Sequence, residues 1–131
     1  IAGQIRRVIE DYLKDRTVEV DKENKFDISM GVPQGSILGP TLWNVLYDGV
    51  LSIDMPGGAR LTTYANDLVA LVVNPTEEGL VECGNETLRR VEGWMQENEL
   101  ALAPEKTEAI AMSGMRRPKK EIKFRLTEEG L

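Results

Sequence analysis

The chain has 131 residues and a net charge of −6, enough length for one domain with a real core and too acidic for a nucleic-acid groove lining the whole of it. Hydrophobic residues make up 41%, and no apolar run approaches the length of a membrane-spanning helix. Histidine is absent and Cys83 is the one cysteine, which excludes Ser-His and Cys-His catalysis, histidine-bearing zinc sites and an internal disulfide, and fits a reducing compartment.

Ile1, Ile5, Val8, Ile9, Tyr12 and Leu13 recur at helical spacing and predict a first amphipathic helix. The chain starts inside this helix with Ile1 rather than Met and shows no signal-like leader, so it reads as an excised piece. Residues 17–21 and 25–30 predict a small hairpin. Residues 29–42, Ser-Met-Gly-Val-Pro-Gln-Gly-Ser-Ile-Leu-Gly-Pro-Thr-Leu, hold three glycines and two prolines, a backbone suited to close approach. A loop whose N–H groups sit at a helix start can receive phosphate or template backbone, and an ordinary strand-to-helix turn is the plainer alternative. Leu42, Val45, Leu46, Gly49, Val50 and Ile53 predict the second helix, with Val45 and Leu46 on its buried face.

Residues 55–58 are turn material. Residues 59–64 alternate as a strand and residues 68–73 form a short apolar run, predicting a hairpin whose turn is Asn66-Asp67. A carboxylate at such a tip is well placed to hold a hard cation, although Asn-Asp is also good turn chemistry. Asn74 is the predicted N-cap of the next helix, with Pro75 at its first position and Glu77 three residues on. Leu80, Gly84, Thr87, Leu88, Val91, Trp94 and Met95 face inward to about Asn98, which makes Trp94 and Met95 core rather than a stacking platform. Seven glutamates, Glu77 to Glu99, are assigned to this one helix. Residues 106–112 and 122–126 are the predicted last strands. Arg116, Arg117, Lys119, Lys120, Lys123 and Arg125 crowd the C-terminal end, either as a solvated turn or as a phosphate contact near a primer strand.

Taken together, these segments closely resemble reverse transcriptases of non-LTR (LINE-type) retrotransposons. Gly31-Val32-Pro33-Gln34-Gly35-Ser36 with Leu38-Gly39-Pro40 matches the family's second palm motif. Tyr64-Ala65-Asn66-Asp67-Leu68 is similar to its aromatic-Ala-Asp-Asp metal motif. Residues 100–108 look like the following motif, which ends in Lys106-Thr107-Glu108. The connecting residues 43–51 and 91–95 are similar to the insect clade that inserts into ribosomal DNA, and the resemblance runs from Tyr12 to about Met115.

The resemblance implies an α+β fold, a partial polymerase palm with an antiparallel sheet and helices packed on one face. Residues 1–131 would be a single palm fragment without the fingers or the first catalytic strand, ending before the thumb. The implied activity is RNA-directed DNA polymerisation, nucleotidyl transfer by two Mg²⁺ ions in the intact enzyme. The implied partners are an RNA template, a DNA primer and deoxynucleoside triphosphates in the cytoplasm and nucleus, with no membrane. Asp67 and Asn66 would lie at the metals. Pro33, Gln34, Gly35, Ser36 and Tyr64 would meet nucleotide and template, Lys106 would donate a proton to pyrophosphate, and Arg116, Arg117, Lys119 and Lys120 would contact nucleic acid.

Two departures leave enzymatic activity undecided. Asn66 stands where the family has an aspartate, and an amide oxygen brings no charge to a hard cation. The family's other catalytic aspartate lies before the first helix, where this sequence begins. The alternative is a catalytically dead remnant or adopted domain that binds RNA or protein. A hairpin edge left without its neighbour strand also predicts self-association.

Overall fold

The computed structural model describes residues 2–112 and 123–125. The fold is α+β, with three helices and two two-stranded antiparallel sheets among the described residues. The chain forms two units, Ile1–Leu46 and Tyr47–Leu131.

In the first unit, α1 (Ala2–Leu13) carries the predicted apolar stripe and an Arg6–Glu10 pair one turn apart at 2.7 Å. Asp15 follows with φ of 48°, a left-handed conformation that short polar side chains tolerate, and the chain turns into β1 (Thr17–Glu19). β1 pairs with β2 (Lys25–Asp27) in the register Val18 to Phe26, shorter than predicted but in the predicted hairpin. Asp21 closes the connection by accepting from the N–H groups of Glu23 and Asn24, both at 2.9 Å. α2 (Gly39–Leu51) starts in this unit and runs into the second.

The second unit holds the core. Val50 is fully buried and Val91 is 2% exposed; Tyr47, Cys83, Thr87 and Met95 complete the cluster. Burying a valine is worth about 1.5–2 kcal/mol, so Val50 on α2 and Val91 on α3 (Glu77–Glu97) are strong contributors to this core. Thr87 stays inside because its hydroxyl donates to the Cys83 carbonyl one turn back at 2.7 Å. The predicted buried face of α2 is corrected in part: Val50 is buried as predicted, but Val45 is 70% exposed and Leu46 41%, and Tyr47 points inward as well. Apolar spacing does not separate Tyr47 from Val45 and Leu46; Tyr47 turns inward because its ring packs against Trp94 of α3.

β3 (Ala59–Tyr64) and β4 (Asp67–Val72) pair from Ala59–Val72 to Tyr64–Asp67. The tip is therefore Ala65-Asn66, not the predicted Asn66-Asp67. Leu61, Thr63, Leu68 and Val72 are half-buried, while Arg60, Thr62, Val69 and Leu71 face outward, and α3 packs against both strands.

Three further expectations are corrected. The N-cap of α3 is Thr76, not Asn74. Its hydroxyl accepts from the Gly79 N–H at 3.1 Å, and Asn74 instead accepts from the Thr76 N–H, so Pro75 precedes the cap. Glu99 lies past the helix. With φ of 57° it forms the left-handed stop that lets the Leu100 N–H reach the Met95 carbonyl at 2.7 Å, a position usually held by glycine. Residues 107–112 are not a strand. They follow a short 3-10 turn, Pro104–Lys106, and among the described residues no strand pairs with them. Residues 123–125 are not in a strand either; the rest of the predicted last strand lies outside the described residues.

Candidate active site

The loop of residues 31–36 belongs to the first unit. Gly31 and Gly35 have φ of 73° and 80°, conformations that strongly favour glycine, and they bracket Val32, Pro33 and Gln34. The Ser36 N–H closes back on the Pro33 carbonyl at 3.2 Å. The Ser36 hydroxyl accepts from the Gly39 N–H at 3.1 Å, satisfying a free donor at the start of α2, and also from the Tyr12 hydroxyl at 2.6 Å. The Arg16 guanidinium donates to the carbonyls of Gly31 and Leu13. Pro33, Gln34 and Gly35 are exposed, so the loop presents backbone and an amide side chain to solvent.

The hairpin tip belongs to the second unit. Asp67 is the first residue of β4, exposed and cross-strand from Tyr64, which is 84% exposed. Ala65 holds φ of 52°, strained for a residue with a Cβ, and backbone strain of this kind concentrates at functional loops. The Asn66 carbonyl accepts from the Tyr47 hydroxyl at 3.4 Å. Tyr47 is pinned by Trp94, edge to face at 6.1 Å between ring centroids. Burial, and secondarily the negative charge of Asp67, push the Tyr47 phenol above its ordinary range.

Lys106 ends the 3-10 turn, exposed, its N–H bonded to the Ala103 carbonyl at 3.0 Å. Arg116, Arg117, Lys119 and Lys120 lie outside the described residues. The sequence does not mark Tyr47, Trp94, Tyr12 and Arg16 as site residues. Their signal is weak, because an aromatic or an arginine on an amphipathic helix reads as packing or solvated charge.

Across residues 2–125 the chain matches the family model described as reverse transcriptase (RNA-dependent DNA polymerase). The chain belongs to the reverse transcriptase family. Its relatives are non-LTR retrotransposon proteins. It is 34% identical over 97 residues to a putative 115 kDa protein in type-1 retrotransposable element R1DM of Drosophila melanogaster, covering 74% of this chain and 9% of the relative. The Pol polyprotein from the type-1 element R1 of Nasonia vitripennis is 31% identical over 84 residues, covering 64% of this chain and 25% of the relative. The RNA-directed DNA polymerase from mobile element jockey of Drosophila melanogaster is 38% identical over 82 residues, covering 52% and 8%. This reverse transcriptase domain thus spans a quarter or less of the length of these relatives. No solved structure matches the chain. No helix among the described residues is long and apolar enough to cross a membrane.

The donor set at the tip does not by itself fit a magnesium centre. Mg²⁺ in polymerase sites is held by one or two carboxylates plus phosphates, and a two-ion site needs carboxylates shared between the ions. Among the described residues no group of three or more acidic, cysteine or histidine side chains could hold a metal. Asp67 is the one carboxylate at the tip, and its neighbour Asn66 is uncharged.

Proposed function

We propose that this reverse transcriptase domain is the palm portion of an RNA-directed DNA polymerase from a non-LTR retrotransposon, working on an RNA template and a DNA primer in the cytoplasm and nucleus. One observation carries the reading. The hairpin closes so that Asp67 sits across from Tyr64 at a strained two-residue tip, on a chain that matches the family over residues 2–125. In the intact polymerase the reaction is nucleotidyl transfer by two Mg²⁺ ions, whose remaining ligands would have to come from other residues. Within this chain, Gly35 and Gln34 offer backbone and side chain to nucleotide and template, and Tyr64 offers a ring face to a base. The Lys106 ammonium suits proton donation to pyrophosphate. Arg116, Arg117, Lys119 and Lys120 supply the positive charge that phosphate contacts need.

A second reading is favoured by Asn66: a domain that binds RNA but no longer polymerises. A labelled RNA–DNA template–primer, titrated by fluorescence anisotropy and photo-crosslinked, tests both readings. The proposal expects binding on the order of 10⁻⁵ M that weakens with salt, with crosslinks within residues 33–36 and 64–67. Absence of crosslinks from both segments overturns the palm reading. Crosslinks without any gain of extension on restoring an aspartate at residue 66, in the parent polymerase, support the second.

A further inference from the structure

We infer that Tyr12 and Arg16 are positioning residues that hold the 31–36 loop in one conformation from its two ends. The inference rests on the proposed function for its meaning, but its geometry lies wholly within the first unit. Tyr12 is on the last turn of α1 and Arg16 lies four residues on, just beyond it. Arg16 fixes the loop's entry by donating to the Gly31 carbonyl, and its place is set by its own backbone, since its carbonyl accepts from the Ile28 N–H at 2.8 Å. Tyr12 fixes the exit through a 2.6 Å bond to the Ser36 hydroxyl, short enough to be a strong O–H···O bond.

These contacts fall on the two flexible joints. Gly31 and Gly35 are where the backbone visits left-handed φ, so they are also where the loop is cheapest to bend. Arg16 binds the first joint itself. Tyr12 binds the residue after the second, and that same hydroxyl takes the Gly39 N–H at the start of α2. Val32, Pro33 and Gln34 are thus suspended between two anchored points, with exposed groups presented in a fixed arrangement. A loop that meets a nucleotide gains from such fixing, because the ordering cost is then met before the ligand arrives.

The test uses Tyr12→Phe, which removes only the hydroxyl, Arg16→Met, and Ser36→Ala, which removes the Tyr12 acceptor from the other side. Backbone amide exchange is followed for residues 31–39, with residues 77–97 of α3 as internal reference, and template–primer affinity is measured by anisotropy. Loss of one such bond is expected to speed exchange over residues 31–39 by about 3- to 10-fold, with α3 unchanged and template–primer affinity reduced at least about threefold. Ser36→Ala also frees the Gly39 N–H, so Tyr12→Phe and Ser36→Ala combined should do no more than Ser36→Ala alone, since the Tyr12 bond is already lost there. Unchanged exchange over residues 31–39 overturns the inference, as does faster exchange with unaltered affinity. If the unsubstituted chain binds no template–primer, the proposed function falls and exchange alone decides whether these residues hold the loop. If one variant does not fold, the others decide by the same criteria.

Discussion

The Tyr47 hydroxyl reaches the main-chain carbonyl of Asn66 at 3.4 Å, linking a buried aromatic on α2 to the tip that carries Asp67. At this length the bond orients more than it stabilises, because O–H···O bonds are strongest near 2.7–2.8 Å. The ring, by contrast, is 5% exposed and wedged against Trp94. Tyr47→Phe should therefore cost no more than about 0.5–1 kcal/mol of folding stability, and Tyr47→Ala about 3–5 kcal/mol. Urea denaturation followed by tryptophan fluorescence measures both. Equal losses would mean that the hydroxyl, not the ring, anchors the tip.

Glu86 sets an acid limb. Its carboxylate accepts two bonds from Arg89, both at 2.8 Å, and one from Arg90 at 2.7 Å. Arg89 foremost, then Arg90, hold its pKa down to about 2, against an ordinary value of 4.5. The folded state thus binds this proton more weakly than the unfolded state. The resulting stability is fully present above pH 4.5 and is lost as pH falls toward 2. Glu86→Gln should lower the urea midpoint at neutral pH, and the gap to the unsubstituted chain should shrink steadily below pH 4.5. A gap independent of pH would contradict the pairing.

Gly84 is buried on α3 where the Phe124 ring lies against its Cα, so an added Cβ would collide with that ring. Alanine would gain about 1 kcal/mol of helix propensity but force Phe124 away, and overpacking typically costs 1–3 kcal/mol. Gly84→Ala is expected to destabilise slightly and to speed exchange of the Arg125 N–H, which donates to Asn85 Oδ1 at 2.9 Å. A stabilised variant with Arg125 still protected would show that Phe124 does not hold this segment.

With one carboxylate at the tip, the 131-residue chain should extend no primer in Mg²⁺ or Mn²⁺. Asn66→Asp adds a second charge beside Asp67 and should tighten Mn²⁺ binding by roughly tenfold, or about 1.4 kcal/mol, read by electron paramagnetic resonance titration. Unchanged affinity would place residue 66 away from any ion.

The outer face of the β3–β4 hairpin carries Val69, Leu71 and Val73, which are 57%, 56% and 63% exposed. Among the described residues no third strand pairs with this sheet, and no lysine or proline interrupts residues 68–73. Self-association at micromolar concentration is the expected outcome in sedimentation velocity, reduced by Leu71→Lys. A monomer at all concentrations would rule this surface out.

Sequence alone determined the local order of this protein. Amphipathic spacing located three helices, the Gly-Pro loop and the hairpins followed from turn chemistry, and two motifs named the family. These are properties of short stretches, where periodicity and backbone restriction act without distant partners. Tertiary structure decided that Tyr47 turns inward on α2 beside the predicted Val50, because its ring meets Trp94 on α3, while Val45 and Leu46 stay exposed. It decided the hairpin register as well. Pairing Tyr64 with Asp67 moves the aspartate from turn to strand, a one-residue shift that turn propensity cannot resolve. It also gave residues 107–112 no strand partner among the described residues, since a strand exists only where another strand takes up its hydrogen bonds. The Tyr12–Ser36 and Tyr47–Asn66 ties join residues 24 and 19 positions apart, and only folding brings such pairs within bonding distance.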